Sequence, residues 1–208
     1  VQQDRVNMAL VGAIVSVATI GGLLFGYDSG AVNGTQAGLK AAFALDDNGL
    51  GFTVGSLLVG CAAGAFTAGR MADRFGRKRI MVLAAILFLT GALVQGLTGN
   101  HTLFVIARFF GGMAVGSASV LSPAYISEVA PAAIRGRLTS VQQVMIITGL
   151  TLAFVVNYVL ARQAGDSLGQ LGGVPAWRWM YIAQAIPAVV FLVALQFIPE
   201  SPRYLVSS

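Results

Sequence analysis

Six apolar runs, each close to the length needed to cross a lipid bilayer, constrain this chain of 208 residues more than any other feature. They lie at about residues 8–30, 49–69, 80–99, 103–126, 138–161 and 178–198, with no long polar segment between them. About 20 consecutive apolar residues span the hydrocarbon core as a helix, and a backbone in lipid must satisfy its polar groups within itself. Residues 1–208 are therefore predicted to form an all-α polytopic membrane protein, one six-helix bundle acting as a single transmembrane domain. Charged residues make up 10% of the chain, well under the roughly 25% of a soluble domain. The first run follows Arg5 but is too long for a signal-peptide core and is followed by no convincing cleavage site, so it reads as a retained span.

The basic residues divide unevenly between the two sides. Arg5, Arg70, Arg74, Arg77, Lys78, Arg79, Arg135, Arg137 and Arg203 fall on the side of the N-terminus, and Lys40, Arg162 and Arg178 on the other. By the positive-inside rule both termini are cytoplasmic. The net charge of +5 is then a topology signal rather than a nucleic-acid footprint. Cys61 and His101 are the only cysteine and histidine. That excludes an internal disulfide framework, a thiol metal site and a histidine cluster; neither a metal nor a cofactor is expected. Asn33-Gly-Thr and Asn100-His-Thr match the glycosylation pattern on the outer side, but the pattern is short and each match lies close to a span end.

Two ionisable residues lie where lipid would surround them. Asp28 closes the run GGLLFGYD and Arg108 lies within LFVIARFFGG. Such residues are costly in a membrane and are usually paired or water-lined, so Asp28 is expected to face Arg108. A structural ion pair, or an Asp28 that caps its helix at the interface, is one reading. The other is a proton site. Burial favours a neutral carboxyl and a nearby arginine favours a charged one, so a carboxyl between them can gain or lose a proton as its surroundings move. Arginine stays protonated.

Charge also gathers on the cytoplasmic side. In Gly69–Arg79, GRMADRFGRKR, Asp73 and Arg77 stand four apart, which suits a local pair, and Gly76 permits a tight turn. In Ser122–Arg137, SPAYISEVAPAAIRGR, Glu128 and Arg135 are seven apart and would share a face of a continuous helix, though Pro131 argues against continuity. An acid and a base beside a helix break suggest half of a latch. Gly60/Gly64 and Gly112/Gly116 predict close helix contacts. Gln143 offers an amide able to donate and accept, suited to a polar ligand or to a neighbouring helix. Phe25 suits a ligand's apolar face or the core. Trp177 and Trp179 read as interfacial anchors, Tyr125 is expected to pack at the inner end of span 4, and Asn157 has no assigned role. Spans 1–3 and 4–6 suggest two three-helix units.

GGLLFGYDSG, GRMADRFGRKR, ARFFGG, PAYISEVAPAAIRG with Gln143 and Gly149 downstream, and IPESPRYL follow one another along nearly the whole chain. Together they resemble the sugar porters of the major facilitator superfamily; the Gly69–Arg79 motif alone would indicate only the superfamily. The resemblance implies the N-terminal six-helix half of a twelve-helix carrier whose C-terminal half is absent here, and points to a truncated or partial chain. It implies alternating-access transport of a monosaccharide, a hexose or pentose, coupled to a proton. Facilitative relatives commonly carry a neutral residue where Asp28 stands, so Asp28 favours symport, with Arg108 as its partner. Phe25 and Gln143 match sugar-lining positions. Asp73, Arg77, Lys78, Glu128, Arg135, Glu200 and Arg203 match a cytoplasmic gate. Lys78 departs from the usual arginine, which keeps charge but loses the bidentate fork; Asp73 departs from the asparagine of many sugar porters and agrees with the wider superfamily. The implied partners are a sugar, a proton, the lipid bilayer (the plasma membrane) and the missing half, with no nucleic acid and no enzymatic chemistry. A uniporter of the same fold, a sugar sensor without transport and a homodimeric pore remain as alternatives.

Overall fold

The structure, a computed structural model, describes residues 8–166 and 168–207. Arg5, counted above toward topology, lies outside them. Helices dominate: α1 Met8–Phe43, α2 Asp47–Phe75, α3 Arg77–Leu97, α4 His101–Val129 and α5 Arg135–Ala164, then α6 Ala176–Ala183, α7 Ala185–Leu195 and the short α8 Pro202–Ser207. Six segments are long and apolar enough to cross a membrane, with α6 and α7 together forming the sixth.

The helices outrun the apolar runs that predicted them. α1 continues from residue 30 to Phe43, 36 residues in all, about 54 Å at 1.5 Å per residue. The polar residues that end the run do not end the helix, because they hydrogen-bond back onto it. Ser29 Oγ donates to the Phe25 carbonyl, Asn33 Nδ2 to Ser29 and Thr35 Oγ1 to Val32. The Asn33 acceptor pattern therefore lies within a helix, and Asn100 is the N-cap of α4, its Oδ1 accepting from the Leu103 N–H. The connection Gly69–Arg79 is also nearly all helix. α2 runs to Phe75 and α3 starts at Arg77, leaving only Gly76 between them at φ +100°.

The sixth span is broken. Pro187 has no N–H to offer the Ala183 carbonyl, and the chain turns at Gln184, whose N–H donates to Tyr181 at 3.1 Å. A two-residue hairpin, β1 Gln170–Leu171 and β2 Val174–Pro175, precedes it, turning through Gly172 and Gly173.

Two helix pairs meet through glycines. A Cβ on Gly26 would stand 1.8 Å from the Ile146 carbonyl oxygen, and one on Gly149 would stand 2.1 Å from that of Leu23, so α1 and α5 touch backbone to backbone. α2 and α4 do the same through Gly60, 2.0 Å from the Phe109 oxygen, and Gly112, 2.1 Å from that of Leu57. Exchanging spans 1–3 with spans 4–6 maps the α1–α5 pair onto α4–α2, and the α3–α4 pair onto α6/α7 with α1. The bundle is thus two three-helix units in matching arrangement.

The main core joins α1, α3, α4 and α7 through Val15, Met81, Phe88, Leu121 and Phe191. A second cluster gathers Leu39, Phe104, Trp177 and Tyr181. Trp177 is only 2% exposed and lies against Gly38, so it is a core residue and not an interfacial anchor. Sequence neighbours on a helix point to different faces, and only Trp179 reaches the surface, its Nε1 donating to the Leu171 carbonyl.

Candidate functional site

Asp28 lies well inside α1 rather than at its end, which removes the helix-capping reading. It and Arg108 of α4 are each 2% exposed and form an ion pair, Nη2 to Oδ2, at 3.5 Å. Gln184, at the break between α6 and α7, donates Nε2 to Asp28 Oδ1 at 3.1 Å. Arg108 also donates Nη1 to Gln95 Oε1 of α3 at 3.3 Å and Nη2 to the Val54 carbonyl of α2 at 3.4 Å. Its Nε has no partner among the described residues. Every spanning segment except α5 thus contributes an atom to one buried polar cluster. The sequence marked Asp28 and Arg108 by their charge. It did not single out Gln95 or Gln184, although a lone amide in an apolar run also needs a partner.

A second cluster sits at the basic end of the bundle. Arg77 Nη1 reaches Asp73 at 2.6 Å, while Nη2 and Nε reach Glu128 Oε1 at 3.1 and 3.2 Å. Ser201 Oγ donates to the other oxygen of Glu128. Glu200 Oε1 accepts the N–H groups of Lys78 at 2.9 Å and Ser201 at 2.8 Å, so it caps the start of α3, where the exposed amides favour a negative charge. A side chain on Gly76 would collide with this carboxylate, its Cβ 2.3 Å from Oε2. Tyr125, fully buried, donates its hydroxyl to the Pro199 carbonyl and ties α4 to the segment after α7.

Arg135 does not join Glu128. α4 ends at Val129 and α5 starts at Arg135, and the turn between them carries the arginine to the surface, where Nη2 donates to the Ala130 carbonyl at 3.3 Å. Arg77 takes the place expected of it. Arg203 is exposed on α8, and Lys78 enters the cluster through its backbone N–H rather than its ammonium.

Phe25 and Gln143 sit apart from both clusters. Phe25 is half-buried against the main core, and Gln143 lies on an exposed face of α5. Its neighbour Gln142 is buried against Gly22, with Oε1 unpartnered among the described residues. Asn157, without a role in the sequence reading, donates Nδ2 to the Gly30 and Ala31 carbonyls at 3.2 Å and fastens α5 to α1. A groove of about 340 Å³ between α1, α5 and α7 is lined by Ile20, Leu23, Tyr27 and Val156 among others and offers little to a hydroxylated ligand.

The family described as sugar (and other) transporters matches residues 14–208. The chain is 45% identical over 207 residues to a glucose transport protein of Synechocystis sp., covering 99% of this chain and 44% of that protein. It is 40% identical over 227 residues to the D-xylose-proton symporter of Escherichia coli, covering 97% of this chain and 46% of the relative. Among solved structures, the proton:xylose symporter XylE of the major facilitator superfamily, bound to 6-bromo-6-deoxy-D-glucose, superposes with a TM-score of 0.88 at 40% identity, over 97% of this chain and 47% of that one. The inward-open form of XylE from E. coli gives 0.83 at 39% identity, over 94% and 50%. The chain spans about half the length of the relatives it matches.

Proposed function

The chain belongs to the sugar transporter family of the major facilitator superfamily, and from that premise we propose that it is the N-terminal half of a proton-coupled monosaccharide symporter. The observation that carries the coupled mode is the buried Asp28–Arg108 pair. An ionised carboxylate with so little exposure is held by Arg108 and Gln184. A proton arriving at Asp28 cancels its charge and weakens the pair, and Arg108 keeps the Gln95 and Val54 oxygens. The two halves then rock around a midplane site, with the neutral, loaded carrier free to reorient.

The sugar is a hexose or pentose, in keeping with relatives named for glucose, xylose and arabinose. Gln143 is open on this half and supplies hydroxyl-matching bonds from α5, while Phe25 offers an apolar face from α1. The Asp73–Arg77–Glu128 cluster and the Glu200 cap hold the inner end of this half as a rigid gate element, with Arg135 and Arg203 exposed for contact with the second half. The membrane is the plasma membrane and both termini face the cytoplasm.

Asp28→Asn in the full-length transporter tests the reading. Uphill uptake driven by a proton gradient is expected to vanish while sugar counterflow, which needs only the fold and the sugar site, persists. Uphill uptake that survives in this variant contradicts the proton role and favours a uniporter in which Asp28 is structural.

A further inference from the structure

We propose that Gln95 and Gln184 are positioning residues that bias the charge state of Asp28 in opposite directions; this rests on the proton-coupling reading above. Arg–carboxylate pairs favour a two-pronged fork with contacts of about 2.8 Å. Arg108 instead meets Asp28 through one nitrogen at 3.5 Å. The cause lies on α3. Gln95, 2% exposed, accepts Nη1 at 3.3 Å and, with the Val54 carbonyl, holds the guanidinium turned partly away from the carboxylate. Nε makes no hydrogen bond among the described residues, so the Gln95, Val54 and Asp28 oxygens are the polar contacts that orient the fork. Gln95 therefore limits how strongly Arg108 favours the charged acid.

Gln184 acts the other way. It is 1% exposed, and its Nε2 donates to Asp28 Oδ1 at 3.1 Å, a bond to the charged form that stabilises that form. When Asp28 takes up a proton, the amide can turn over and present Oε1 to the new O–H. One neutral side chain satisfies both states of a buried acid, which a second carboxylate or an apolar residue could not do at the same cost.

The remaining groups around Asp28 leave the two amides as the adjustable partners. Cys61 of α2 and Tyr181 of α6 interact electrostatically with both charges, and Tyr27 adjoins Asp28 on α1. α5 brings Leu150 and Ala153 against Gly30 and the neutral amide of Asn157 onto the Gly30 and Ala31 carbonyls, and no charged group. Among the described residues neither Asp28 nor Arg108 makes another ion pair.

The test is uphill sugar uptake against external pH, with full-length transporter in proteoliposomes. Uptake is expected to fall as external pH rises, and the midpoint of that fall is the readout. Gln95→Leu frees Nη1 to turn onto Asp28 and favours the charged form, so the midpoint moves down by about one pH unit. Gln184→Leu withdraws a charge-assisted bond from the ionised form and only a weaker, neutral one from the protonated form, so the midpoint moves up by about one pH unit. Loss of packing alone lowers uptake without moving the two midpoints apart. Sugar counterflow reports the fold, and a leucine variant that loses it is replaced by the methionine variant, which keeps the side-chain length. Asp28→Asn runs alongside. Uphill uptake there overturns the proton reading itself. Its loss there, with glutamine midpoints that stay put or move together, overturns the glutamine proposal alone.

Discussion

Taking a carboxylate and a guanidinium out of water costs several kcal/mol for each ion. At Asp28 and Arg108 that cost is offset by their mutual attraction and by the Gln184, Gln95 and Val54 bonds. The charges announced themselves in the sequence because lipid tolerates so few. The amides did not, because a neutral side chain in an apolar run reveals its importance only when a partner from another helix is placed beside it. The basic end repeats this lesson. Spacing places Glu128 and Arg135 on one face only of a continuous helix; the break that Pro131 suggests does occur, turns Arg135 outward and leaves Glu128 to Arg77 of α3. Glu128→Gln is therefore expected to destabilise the protein by about 2–3 kcal/mol, since it weakens a largely buried pair and leaves Arg77 to Asp73. Arg135→Ala stays within about 0.5 kcal/mol, as for other surface changes. Unfolding in detergent measures both, and an equal effect of the two would contradict the assignment of Arg77 as Glu128's partner.

Helices were legible where lipid dictates them and obscure where a side chain dictates them. An apolar run locates a span, but Ser29, Asn33 and Thr35 bond back onto α1 and let it run on to Phe43. The break at Gln184 follows from Pro187 yet lies inside an unbroken apolar stretch. Pairing of helices was partly legible. Gly60, Gly64, Gly112 and Gly116 were singled out, and they do set α2 against α4. The α1–α5 contact is equally close, and Gly22, Gly26, Gly30 and Gly34 repeat every four residues along its α1 face, the same spacing in a helix where no pair was marked. Gly26→Ala would force the Ile146 carbonyl away from a Cβ otherwise 1.8 Å distant, a clash of the overpacking kind that costs about 1–3 kcal/mol or more. The variant is expected to lose its monodisperse peak in detergent chromatography. Gly12→Ala, which meets nothing within 4 Å on the same helix, keeps it. Loss of both peaks, or of neither, would remove the close approach of α1 and α5 as the cause.

For the molecule as a whole, the resemblance carried the family, and residues 14–208 match it. The residues that the resemblance assigns to a sugar are less legible: Phe25 of α1 is half-buried against the main core and Gln143 is exposed on α5. Sugar and proton are proposed to cross together, with Asp28 as the proton's carrier. The most direct measurement is the external pH of a weakly buffered suspension of proteoliposomes carrying the full-length transporter, followed as sugar is added with no imposed gradient. Alkalinisation as sugar enters, abolished by Asp28→Asn, is the expected result. Sugar entry with no change in pH would contradict it.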